Sequence, residues 1–133
     1  KKGSTLYLFN YHDIDYSTKA EIDIPGWKGT SKLPMKSEIF LARRSAKAIP
    51  IDVFIDSKRI LLYTLGEILG MNSKDKSLKL DLSVGGPFEL RMKSPKPRQV
   101  LVNGSAMDFK YENKVLFIQS KFDPSVINIE FVY

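Results

Sequence analysis

The chain has 133 residues, 43% of them hydrophobic and 27% charged, and it contains no cysteine. That length suits one domain with a sizeable core, and the composition excludes a disordered polypeptide. Disulfides, thiolate nucleophiles and cysteine-bound zinc or iron–sulfur centres are excluded; the net charge of +6 divides equally between residues 1–72 and 73–133, which argues against a basic nucleic-acid-binding tail.

The first residue is Lys1, which fits a domain cut from a longer polypeptide. No run approaches the ~20 apolar residues that would span a bilayer, and no charged start leads into an apolar run and a small-residue cleavage site. A soluble chain is expected, with the cytoplasm favoured as its compartment.

Taken in chain order, Thr5 to Asn10 mixes Leu6 and Leu8 with Tyr7 and Phe9, a pattern compatible with a strand covered on both faces. Asp13-Ile14-Asp15 reads as a turn. Ala20, Ile22 and Ile24 alternate with Glu21 and Asp23, and Pro25-Gly26-Trp27-Lys28-Gly29 forms the next loop signal. Met35 to Ala42 and Ile49 to Ile55 read as further strands. Residues 61–69 are ambiguous. Leu61, Leu65, Ile68 and Leu69 have helical spacing and Ser57 could cap a helix, yet Ile60 to Thr64 is good strand material.

From residue 78 onward the period is two. Leu78, Leu80, Leu82 and Val84 alternate with polar residues, and so do Phe88, Leu90 and Met92. With Gly85-Gly86-Pro87 between them, the two runs predict a hairpin with one wet face. Val100 to Val102, Val115 to Gln119 and Ile127 to Phe131 complete the strands, separated by turns at Asn103-Gly104, Glu112-Asn113 and Asp123-Pro124. About ten short strands at this spacing predict an all-β fold, an antiparallel β-sandwich occupying residues 1–133, with a short helix near 61–69 as the open alternative.

Candidate chemistry is sparse. His12 is the only histidine, so a Ser-His-Asp arrangement depends on that one position and a histidine-rich metal site is excluded by count. Asp13 and Asp15 lack the further acidic ligands of a calcium loop. The fifteen acidic residues are scattered, and nothing singles out the facing carboxyl pair that glycoside hydrolysis needs. Neither a phosphate-cradling nor a dinucleotide-binding glycine motif occurs. The expectation is no catalytic residue, no metal and no cofactor in this chain. Trp27, set between glycines in a loop, could stack on a sugar ring or pack as a lid on the core or on a neighbouring domain.

Two stretches carry a family resemblance. The run Ile49-Pro50-Ile51-Asp52-Val53-Phe54-Ile55, followed by Arg59 to Leu69, resembles the β-domain that follows the barrel in family 35 glycoside hydrolases, the beta-galactosidases, with its segment reading roughly LLYSTAEVL. Leu6-Tyr7-Leu8-Phe9-Asn10-Tyr11 resembles that family's FLFLRNY strand. The second half is similar to the terminal β-sandwich of many glycosidases, where Pro97 to Gly104 matches a P-x-x-V-x-V-N-G hairpin. Leu65-Gly66 departs from the pattern, standing where the family has small polar residues and alanine.

The resemblance implies a non-catalytic accessory domain of a beta-galactosidase-like enzyme, partnered with the catalytic barrel of its parent chain, since both catalytic glutamates of that family lie on the barrel. One rival is a carbohydrate-binding module, with Trp27, Tyr11 and Tyr16 as the sugar platform. A second, disfavoured, is a nucleic-acid-binding β-domain using Arg91, Lys93, Arg98 and the Arg43-Arg44 pair.

Overall fold

The computed structural model describes residues 3–23, 30–34 and 36–133. In chain order its strands are β1 (Ser4–Asn10), β2 (Tyr16–Thr18), β3 (Ala20–Asp23), β4 (Thr30–Leu33), β5 (Ile39–Leu41), β6 (Ser45–Asp56) and β7 (Arg59–Thr64). Then follow β8 (Glu67–Lys74), β9 (Ser77–Lys93), β10 (Gln99–Val102), β11 (Ser105–Met107), β12 (Lys110–Glu112) and β13 (Val115–Val132). No helix occurs among the described residues, and so none that is long and apolar enough to cross a membrane.

The organising feature is the pairing of the two longest strands, β9 and β13, which run antiparallel from Val115 opposite Lys93 to Val132 opposite Ser77. The free edge of β9 is shared: β8 takes Ser77–Ser83 and β7 takes Leu90–Lys93. The outer edge of β13 is divided in the same way, with β12 on Val115–Phe117 and β10 on Ile129–Val132. The nine-stranded sheet therefore has two wings, β1-β6-β7 and β12 on one end of the ribbon and β8, β10 and β11 on the other.

The wings fold face to face around one core. Leu78, Leu80 and Leu82 from one wing meet Leu61, Leu90, Met92, Leu116 and Ile118 from the other, all without solvent exposure. This is the antiparallel β-sandwich that the alternating pattern predicts.

Gly85-Gly86-Pro87 does not end a strand, in contrast to the expected hairpin. β9 passes through it and bends, with Gly86 at a φ of +75°. Opposite, Phe122 pairs with Gly86 and Ser125 with Val84, so three steps of β13 span two of β9. That extra residue is a β-bulge, which kinks the strand and increases its twist. It also switches which side chains face the core, from Leu116 and Ile118 before it to Ile127, Ile129 and Phe131 after it. The expected turn at Asp123-Pro124 is this bulge. Phe88 and Phe122 meet edge to face at the bend, their centroids 5.5 Å apart.

The ambiguous segment at 61–69 is strand, not helix: β7, a bend at Leu65-Gly66, then β8. Its periodicity is obscured because β7 is buried on both sides. Leu61 belongs to the inter-wing core, while Leu62 and Tyr63 belong to a second core with Leu33, Ile39, Leu41, Ile49, Ile51 and Leu65. Leu33, with Ile39 and Leu41 of β5, covers that outer face.

A buried carboxyl pins the cover down. Glu89 has no solvent exposure; its Oε1 accepts the backbone N–H of Lys36 at 2.9 Å and of Ser37 at 2.7 Å, and its Oε2 accepts the Tyr63 hydroxyl. The Asn103-Gly104 turn has positive φ at both residues, 50° and 84°, as a type I′ hairpin requires, and joins β10 to β11.

Candidate functional site

β1 is an edge strand, paired with β6 alone. Leu6 and Leu8 point inward to the second core, leaving the odd-numbered side chains on the opposite face. There Tyr7 is 63% exposed and Phe9 57% exposed, which corrects the reading of a strand covered on both faces. Across the ladder they stand opposite Ala48 and Ala46, whose small side chains leave the rings uncovered.

Just beyond, Tyr11, Ile14 and Tyr16 are exposed as well, so the segment from Tyr7 to Tyr16 presents five large apolar side chains to solvent. The rings of Phe9 and Tyr11 lie nearly parallel, 8° apart in plane with centroids at 6.0 Å. Sequence reasoning named Tyr11 and Tyr16 but missed Tyr7 and Phe9. The available signal was the aromatic repeat at i, i+2 and i+4 from Tyr7. Trp27 lies outside the described residues.

The loop carrying Tyr11 and Ile14 is held in place. Asn10 is buried, and its amide donates to the carbonyls of Ile14 (2.9 Å), Leu41 (3.1 Å) and Ala42 (3.2 Å), while its Oδ1 accepts the backbone N–H of His12. The Arg44 N–H closes onto the His12 carbonyl at 3.1 Å. Asp13 accepts from Arg44 Nε at 2.7 Å and Asp15 from the Arg43 backbone at 2.9 Å, so these carboxylates serve the loop corner. Among the described residues no group of three or more His, Cys, Asp or Glu is placed to hold a metal ion.

A groove of about 480 Å³ lies where β6 passes the bend of β9 and β13, lined by Phe40, Ala46, Ala48, Gly86 and Phe122 among others. Ala46 and Ala48 are the residues opposite Phe9 and Tyr7, so groove and aromatic strip adjoin. Lys47 also lines it, and burial holds that ammonium below the ordinary lysine value. The arrangement offers ring faces and a shallow apolar channel, the means of packing or stacking.

No model of a known protein family matches the chain, and no curated protein matches it either.

Proposed function

We propose that this chain is a non-catalytic accessory β-domain of a glycoside hydrolase of the beta-galactosidase type, packed against its catalytic domain through the aromatic face of β1. The observation that carries the reading is the run of exposed apolar side chains at Tyr7, Phe9, Tyr11, Ile14 and Tyr16. Large apolar side chains exposed in such number, with Phe9 and Tyr11 stacked, mark an interaction face, and aromatic residues are enriched where such faces meet partners. The motif resemblance at residues 6–11, 49–69 and 97–104 supplies the enzyme class.

A sugar platform is the second reading, favoured by the near-parallel rings of Phe9 at the end of β1 and Tyr11 on the loop that Asn10 fixes. Titrating the chain with galactose, lactose and β-glucan oligosaccharides, while following its intrinsic fluorescence, separates the two. The accessory-domain reading predicts a flat response. A saturable change that disappears in Tyr11→Ala would overturn it in favour of a carbohydrate-binding module.

A further inference from the structure

Away from the aromatic strip, the outer face of the sheet carries a row of paired residues across three strands: Arg91 on β9, Phe117 on β13 and Lys110 on β12. With neighbouring strands ~5 Å apart, the Arg91 and Lys110 backbones stand about 10 Å from one another on either side of the Phe117 ring. Lys36 comes from the covering segment, with its Nζ 5.8 Å from the centre of the same ring. These side chains and Val115 surround a cleft of about 350 Å³, at the lower end of the range for small-ligand sites.

Two of the three cations are positioned by their surroundings. The Arg91 guanidinium lies 6.0 Å from the centre of the Tyr63 ring. Lys36 is fixed at its backbone by Glu89, and the adjoining Ser37 is held again by Gln119 Nε2 at 3.0 Å. None of Arg91, Lys36 and Lys110 forms an ion pair among the described residues. Glu112 is the one carboxylate beside three cations in the cleft lining. By contrast, Arg43 and Arg44, in one of the two densest basic spots of the sequence, are engaged by Asp15 and Asp13.

We infer that this cleft is a binding site for an oxyanion, a phosphate or sulfate group, seated over Phe117 between Arg91, Lys110 and Lys36. Charge-assisted hydrogen bonds from converging cations are the ordinary means of holding such a group, and the apolar ring floor suits an anion carried on a sugar. The inference is independent of the docking role given to β1.

The test is a titration of the whole chain at low ionic strength with inorganic phosphate, inorganic sulfate and galactose 6-sulfate, read by amide chemical shifts. Saturable shifts confined to the strands bearing Arg91, Lys110 and Phe117 are expected, weakened about tenfold in Arg91→Gln and again in Lys110→Gln, at an exposed position. Tighter binding of galactose 6-sulfate than of the free anions would assign the site to a sugar-borne group, and equal binding to a free anion; either supports the site. Shifts scattered over the surface, or unchanged in Lys110→Gln with the fold intact, would overturn it.

Discussion

The Tyr63 hydroxyl donates to the Glu89 carboxyl inside the outer core, joining β7 to β9 at the place where the covering segment is tied down. Glu89 also receives the Lys36 and Ser37 backbone N–H groups, so one buried side chain connects three parts of the chain. Glu89→Ala strands two backbone donors and the tyrosine hydroxyl together, and should cost about 3 kcal/mol. Glu89→Gln keeps a carbonyl for the backbone donors and can turn its amide toward the tyrosine oxygen, so it should cost about 1 kcal/mol. Urea unfolding of both variants checks the order; equal losses would mean that the contact set is not what stabilises the cover.

A second polar cluster clasps the two wings at one end of the sandwich. Arg59, 4% exposed, donates from Nε to Asp56 Oδ2 at 2.8 Å and from Nη2 to the Lys74 carbonyl at 2.7 Å, and Ser73 donates to Asp56 at 2.6 Å. The Arg59 hydrogen bond is the main cause holding the Asp56 carboxyl well below the usual carboxylate range. The folded chain thus binds this proton less readily than the unfolded one, whose aspartate titrates near pH ~3.9. The stabilisation is present above about pH 4 and is lost as pH falls further. Asp56→Asn should lower stability at neutral pH by about 2 kcal/mol, since it leaves the buried guanidinium without its carboxylate. Denaturation between pH 2 and about 6 should also show a shallower acid limb for the variant.

Gly66 sits where the chain turns from β7 into β8 above the inter-wing core. A β-carbon there would meet Val84 Cγ1 at 2.9 Å and Phe88 Cε1 at 3.1 Å. Gly66→Ala should therefore destabilise by about 1–3 kcal/mol through overpacking, read as a lowered thermal midpoint with unchanged strand content by circular dichroism.

Much of this architecture was legible because alternation survives wherever one face is wet. Leu78 to Val84 is buried on the predicted face, and so are Phe88, Leu90 and Met92, although Glu89 on the expected wet face is buried beneath Lys36 and Ser37; the Asn103-Gly104 turn has the geometry its residues require. What misled was continuity. Gly85-Gly86-Pro87 and Asp123-Pro124 carry turn chemistry, yet they lie opposite one another in a paired ribbon, where they bend it instead of ending it. At residues 61–65 two cores claim both faces of one strand, erasing the period.

The aromatic strip was half legible for a related reason. Tyr7 and Phe9 look like core residues in the sequence. They are exposed because β1 is the last strand of its wing, and the inter-wing core does not extend beneath it. Edge position is a property of sheet order, which local pattern does not encode.

Asn10 offers a way to perturb the strip without touching its rings. Asn10→Ala removes the amide that holds the loop through Ile14, Leu41 and Ala42, and should cost about 2 kcal/mol. Amide hydrogen exchange should speed up from Tyr11 to Asp15 more than in the paired part of β1; uniform acceleration would argue against a local anchoring role.

The central claim, that the aromatic face of β1 packs on a catalytic domain, is tested most directly by hydroxyl-radical footprinting of Tyr7, Phe9 and Tyr11. The labelling is compared between this chain alone and the longer polypeptide that the reading requires. Strong labelling in the isolated chain and several-fold protection in the longer protein is the predicted result. Equal labelling of all three rings in both would contradict it.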